Sequence, residues 1–413
     1  MTTLFAPTAL LPDGWADNVL IEIDKDGWIV GVDSFKTAVP NTAETEQAAG
    51  PLIPGMPNIH SHAFQRAMAG MAERASGKKD TFWSWRDTMY RFLDFIEPED
   101  MEALAAQVYI EMLKAGYTSV GEFHYVHHDR EGHPYSDRAI MSRHIIAGAL
   151  ETGIGITHMP SLYAFGGFGE KLPAEGQKRF LNTVPQLMRI IEELHGEFRN
   201  VPQVSLGFAH HSLRAVSPKM LAEGTRAFRK LLPEGPIHIH AAEQMAEVEG
   251  CLEWSQQRPV EWLLENGDID ASWCLVHCTH ITPAEIQGLA KSGAVAGLCP
   301  TTEANLGDGI FPLLEYFNAG GTFAIGSDSH ITVSPWEELR WLEYVQRLIH
   351  RERTLIKDHE IPSTGATLYD RALAGGAQAL GRKAGKIEIG PRADFIVLDP
   401  EPAYMTGKLR DHI

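Results

Sequence analysis

Through the middle of the chain, short apolar runs alternate with longer stretches whose apolar residues recur at helical spacing. The runs fall at 52–60, 118–125, 155–163, 204–211, 236–242, 274–280, 294–299 and 322–327. Each has the length of a strand, and most intervals are long enough for a helix. Eight such units predict an α/β architecture in which parallel strands close into a (β/α)8, TIM-like barrel. One helix can be read in detail between Glu97 and Gly116: acids in its first turn, Lys114 near its end and Gly116 as a stop.

The two ends of the chain have a different pattern. Val19–Ile23 alternates, Asp24–Gly27 carries a turn signal, and Trp28 opens a second alternating run. Residues 385–399 have the same character, so we expect 1–50 and 384–413 to form one small β domain beside a barrel of 51–383. The connection 63–96 is long and rich in aromatic and charged residues, among them Phe82, Trp83, Trp85, Arg86 and Tyr90. It reads as an ordered substrate lid, with a subunit contact as the alternative.

Composition narrows the class. A chain of 413 residues with 44% hydrophobic content can bury a large core. A formal charge of −18 lacks the basic footprint that nucleic acid or an anionic membrane surface requires. No window reaches the ~18 uninterrupted apolar residues of a membrane span. The four cysteines, Cys251, Cys274, Cys278 and Cys299, have no metal-finger spacing, and the N-terminus has no secretion pattern, so a reduced, cytoplasmic protein is expected. In so acidic a chain, an acidic substrate would need local arginines.

In a barrel the C-terminal strand ends converge on one mouth, and the histidines and acids fall there. The first run ends in His60-Ser61-His62, whose imidazoles share one side of a strand because side chains alternate faces. The fifth carries His238, His240 and Glu243, the sixth His277 and His280, and the eighth Asp328 and His330. Taken singly, His238 and His280 read as buried polar residues, His330 as a helix cap and Glu243 as partner of a structural arginine. Together, imidazole nitrogens and a carboxylate at four strand ends form a ligand set that suits one divalent ion, zinc or iron.

These motifs resemble the amidohydrolase superfamily, in its mononuclear deaminase branch: His60-x-His62, His240-x-x-Glu243, His277 and Asp328. Strand four, 204–212, offers no lysine that could be carbamylated to bridge a second metal, and 299–312 resembles the seventh-strand loop of the same group. Residues 54–70, 82–87, 122–128, 211–216 and 326–330 are similar to the deiminases of that branch that act on N-formimino-L-glutamate in histidine degradation. The resemblance implies His60, His62, His240 and Asp328 as ligands of one divalent ion, Zn2+ before Fe2+. It implies Asp328, Glu243 and His277 as catalytic groups, and Gln65, Arg86, Tyr125, His211 and Arg214 around a small substrate with two carboxylates. It also implies a homodimer. The expected reaction is attack of a metal-activated hydroxide, its proton taken by Asp328, to give ammonia and N-formyl-L-glutamate.

Family members continue past the strand that ends near Asp399, so the last strands of the small domain are expected to be lacking in a chain ending at Ile413. Two other readings stay open. One is a sibling deaminase acting on a nucleobase or a guanidine-type compound, which would favour aromatic stacking over arginines. The other is a metal-free amidohydrolase-like scaffold used for binding or assembly.

Overall fold

The computed structural model describes residues 1–35, 45–73, 80–358 and 362–401. Two sheets organise them. In the first, β1 (Thr2–Leu11) and β2 (Gly14–Ile23) form an antiparallel hairpin, and β3 (Ile29–Ser34) extends it. The expected turn joins β2 to β3: the Asp24 carboxylate accepts the backbone N–H groups of Asp26 and Trp28, both at 2.9 Å, which fixes a turn without glycine at every position. Short strands β4 (Thr45–Gln47) and β5 (Leu52–Pro54) lie parallel to β1.

The second sheet is parallel throughout and forms the barrel. Its strands follow chain order: β6 (Met56–Ser61), β7 (Tyr117–His124), β8 (Gly155–Leu162), a fourth in two pieces, β9 (Val204–Leu206) and β10 (Phe208–Ser212), then β11 (Ile237–Ala241), β12 (Trp273–His277), β13 (Val295–Leu298) and β14 (Thr322–Ile325). A bridge between Ser61 and Asp328 brings the last strand end back to the first, so the ring is nearly closed. Burial on both faces is complete in β6, β8, β11, β12 and β13, as a parallel sheet covered by helices requires. Finally β15 (Phe395–Val397) pairs antiparallel with β5, and the two chain ends share the small β sheet as expected. Residues 402–413, part of the expected C-terminal piece, lie outside the described residues.

Three local departures have physical reasons. The run expected at 52–60 is two strands: β5 joins the small sheet, β6 the barrel, and Gly55 lies between them. A Cβ at Gly55 would stand 2.2 Å from the Thr118 side chain, so only glycine lets the chain cross so close to β7. The sixth run ends at His277 instead of 280 because His277 (φ 71°) and Cys278 (φ 51°) turn into the left-handed region. The connection 63–96, read as a lid with no helix of its own, holds a 3₁₀ turn, Ala63–Met68, and a true helix, Phe82–Leu93. The Ser84 hydroxyl accepts the Thr81 N–H at 3.0 Å and starts that helix.

The helix predicted at 97–116 spans Pro98–Ala115, with the Asp100 carboxylate accepting the Glu97 N–H at 3.0 Å and Gly116 ending it at φ 108°.

Candidate active site

β6 ends in the His60-x-His62 pair, and its geometry depends on what surrounds that strand end. Glu122 on β7 accepts the Ser61 hydroxyl at 2.6 Å, the Ala63 N–H at 2.8 Å and the Tyr109 hydroxyl at 3.1 Å. Asn58 donates to the Ser327 hydroxyl at 2.6 Å and accepts the Ser327 N–H at 3.0 Å, tying β6 to the loop after β14. His330 is part of this frame and not a helix cap: its two ring nitrogens lie 3.0 Å from the Ser61 hydroxyl and 2.9 Å from that of Ser327. Across the seam, a Cβ on Gly326 would lie 2.8 Å from the His60 Cβ, so glycine is what allows the last strand end to come this close.

Within that frame the histidines turn toward one point. His62 donates its Nδ1–H to the Phe123 carbonyl at 2.8 Å, and His240 donates its own to the His211 carbonyl at 2.9 Å. Each therefore presents an Nε2 lone pair inward. The Nε2 atoms of His60 and His240 face each other at 3.0 Å. Asp328 Oδ1 stands 3.5 Å from Nε2 of both His60 and His62. Burial pushes His60 down to about 3 and lowers His62 and His240 as well. All three are thus neutral, the form that binds metal. Burial raises the Asp328 carboxyl, but the histidine side chains that face it, His277 among them, outweigh this and hold it well below the usual carboxylate range.

His60, His62 and His240 bring ligand nitrogens within 4.8 Å of one another, and Asp328 with His277 forms a second such group around His60; with the outer nitrogens of His62 and His240 already committed, the cluster fits a divalent cation. The expected ligands His60, His62, His240 and Asp328 are brought together.

His277 lies on the other side of Asp328. Its Nε2 is 3.8 Å from Glu243 Oε1 and 3.9 Å from Asp328 Oδ2, and its Nδ1 is 3.3 Å from Glu303 Oε1. Burial lowers its pKa, yet the carboxylates around it prevail and push it up to about 10. Glu243 is raised by burial and lies 3.8 Å from Arg214 Nη2.

All the expected substrate residues line the same cavity as the histidines: Gln65, Arg86, Tyr125, His211 and Arg214, with only His60 lying beneath its floor. Gln65 donates to the Tyr125 hydroxyl at 2.9 Å, leaving its own oxygen without a partner among the described residues. Arg86 sits on the helix Phe82–Leu93, its guanidinium 4.4 Å from the Trp83 ring and 5.4 Å from that of Tyr90. His238 and His280 are structural, as their ordinary readings allowed, donating to the backbone carbonyls of Ala379 at 2.7 Å and Asp308 at 2.8 Å.

Sequence reasoning missed several cavity residues. Tyr163 stacks edge-on against His211 with ring centroids 4.4 Å apart and accepts from Gln177 at 2.6 Å. Its place at the end of the third predicted strand was the available signal. Thr302 and Ser329, 3.0 Å apart through their hydroxyls, also line the cavity, and no spacing in the sequence marks them.

Residues 52–411 match the model of the amidohydrolase family. The chain belongs to the amidohydrolase family. A second match, over residues 1–42, is to the N-terminal domain of formimidoylglutamate deiminase HutF. Among members of the family, formimidoylglutamate deiminase of Pseudomonas aeruginosa is 50% identical over 98% of this chain and 88% of its own length. A 5-methylthioadenosine/S-adenosylhomocysteine deaminase of Halobacterium salinarum is 27% identical over 98% of this chain and 85% of its own. Among solved structures, an amidohydrolase from Brucella melitensis superposes with a TM-score of 0.92 at 46% identity, covering 99% of this chain and 89% of that one. An adenosine deaminase from Xanthomonas campestris with bound zinc shares the fold, with a TM-score of 0.79 at 22% identity over 98% and 86% of the two chains.

Proposed function

We propose that this amidohydrolase deiminates N-formimino-L-glutamate to N-formyl-L-glutamate and ammonia. The observation that carries the reading is one cavity lined by His62, His240 and Asp328, with His60 against them, and by two arginines, Arg86 and Arg214. The 50% identical relative, a formimidoylglutamate deiminase, supports the same substrate. Arginine suits a dicarboxylate because its planar fork holds a carboxylate through two hydrogen bonds. The wall also contains Trp85 and Tyr90, so a flat base is the competing substrate.

His60, His62, His240 and Asp328 would hold one divalent ion, zinc by the nitrogen-rich donor set and iron(II) as the second choice. When bound, such an ion lowers the pKa of a ligated water toward ~7 and so supplies a nucleophile at neutral pH. The remaining work falls to side chains. Asp328, held ionised, takes the proton of the attacking water. Glu243, raised by burial, carries a proton to the imino nitrogen of the amidine. His277 donates a hydrogen bond to the oxygen that gains charge as the carbon becomes tetrahedral. Asp328 then passes the proton it took to the same nitrogen, the carbon–nitrogen bond breaks and ammonia leaves, while the hydroxyl proton returns to Glu243 and the formyl amide remains on glutamate. Gln65, Tyr125 and His211 complete the polar lining around the substrate, and the helix Phe82–Leu93, which carries Arg86, acts as its lid.

Among the described residues, no helix is long and apolar enough to cross a membrane. Purified protein is expected to carry close to one equivalent of a divalent ion and to release ammonia from N-formimino-L-glutamate, with guanine, cytosine and N-formyl-L-glutamate as controls. Turnover of a base with none of N-formimino-L-glutamate would reject the substrate, and metal-free protein that stays inactive after metal addition would favour a scaffold.

A further inference from the structure

The first turn of the helix Pro300–Leu306, which follows β13, ties together the ends of three neighbouring strands. Thr301 donates its backbone N–H to Glu338 at 3.0 Å and its hydroxyl to the same carboxylate at 2.5 Å, which anchors the turn to the helix Pro335–His350. Thr302 donates to the Ser327 carbonyl at 3.3 Å and meets the Ser329 hydroxyl at 3.0 Å, beyond β14. Glu303 turns the opposite way, toward the end of β12. Its Oε1 accepts the Cys299 N–H at 3.0 Å and lies 3.3 Å from His277 Nδ1. Both side chains are almost fully buried, Glu303 at 3% exposure and His277 at 1%.

His277 needs such a partner. Its backbone is in the left-handed region at φ 71°, followed by Cys278 at φ 51°, so the strand has ended and no longer dictates where the ring points. Its Nε2 faces Glu243 and Asp328 at 3.8 and 3.9 Å, beyond hydrogen-bonding reach. Glu303 thus supplies the nearest polar contact to the ring. The Cys299 N–H adds a directional constraint: the atom facing it must be an acceptor, so the same oxygen is presented to His277 Nδ1–H.

We infer that Glu303 is a positioning residue for the reaction, accepting the His277 Nδ1–H and holding the ring in place so that Nε2 faces the reacting oxygen. The inference rests on the deiminase reading only for its kinetic consequence, and the ring orientation can be observed without substrate. A carboxylate, a backbone donor and an imidazole around one oxygen make a device of the kind that orients histidines in many sites, and removal of such outer partners costs about 10- to 100-fold in activity.

The test pairs Glu303→Ala with Glu303→Gln. In the glutamine variant the Cys299 N–H selects the amide oxygen for the shared position, so His277 keeps its acceptor. The alanine variant loses it. Turnover of N-formimino-L-glutamate should fall on the order of 10- to 100-fold in kcat for Glu303→Ala, with KM near that of the parent, and most of the loss should be recovered in Glu303→Gln. Ion content and the thermal midpoint, measured on both variants, show whether the metal cluster and fold survive. Proton NMR of the unliganded protein reads the orientation directly. The exchange-protected Nδ1–H signal of His277, assigned by its absence in His277→Asn, should persist in Glu303→Gln and vanish in Glu303→Ala. Persistence of that signal in Glu303→Ala overturns the inference whether or not the substrate assignment holds. So does an alanine variant with parental kcat, or a glutamine variant as impaired as the alanine one.

Discussion

Replacing Asp328 with asparagine is expected to lower turnover of N-formimino-L-glutamate by about 10³-fold, the range that loss of a positioned general base produces. Asparagine has nearly the same shape and tolerates the left-handed backbone found at position 328, φ 47°. The backbone N–H of residue 328 also keeps its 2.9 Å bond to the His60 carbonyl. The thermal midpoint should therefore stay close to that of the parent. The amide cannot take a proton from water and no longer presents a carboxylate to His60, His62 and His277, whose Nε2 atoms lie 3.5 to 3.9 Å from it. Ion content is measured on the same sample, so that loss of the proton acceptor is separated from loss of a ligand. An Asp328→Asn protein that keeps its ion and turns over within tenfold of the parent would remove Asp328 from the proton path.

The second large effect is expected at Arg214. Its guanidinium is 3.8 Å from Glu243 and 3.9 Å from Glu247, in a cavity wall where its side chain is 14% exposed. Arg214→Ala should reduce kcat/KM for N-formimino-L-glutamate by on the order of 10²-fold, equivalent to about 2.7 kcal/mol of lost charge-assisted binding. It should also lower stability, by up to roughly 3–5 kcal/mol, because two buried carboxylates lose their cation. Arg214→Lys separates the two effects: a lysine restores charge to the carboxylates but not the planar fork, so stability should recover more than kcat/KM. Equal recovery of both, or an alanine variant with unchanged kcat/KM, would argue against substrate recognition at this position. Steady-state kinetics and thermal unfolding on the same preparations provide the readout.

The barrel could be read from the sequence because its strands are buried on both faces. The run 294–299, Ala-Val-Ala-Gly-Leu-Cys, stays apolar without alternation and leaves little ambiguity about where a strand lies. The mouth could be read because His60, His62, His240, His277 and Asp328 all stand at strand ends, where topology alone brings distant residues together. What escaped depended on distances between elements. Gly55 divides a continuous apolar run because Thr118 approaches it from β7, and nothing near Gly55 in the sequence announces Thr118. The helix Phe82–Leu93 was hidden because its inward residues, Trp85, Arg86, Met89 and Tyr90, mix apolar and charged types around the cavity. They do not form a clean apolar stripe. The layer behind the site was the least visible. Glu122, His330 and Glu303 act through partners 61, 269 and 26 positions away in the chain, and no local spacing encodes such pairs.

With Glu243 delivering a proton to the imino nitrogen while Asp328 takes one from water, the bond that breaks is the one to ammonia. Product analysis of N-formimino-L-glutamate turnover tests it most directly. The result expected is one equivalent each of ammonia and N-formyl-L-glutamate. Formamide and free glutamate would mean that the other carbon–nitrogen bond had been cut, and would contradict the arrangement of acid and base derived from this site.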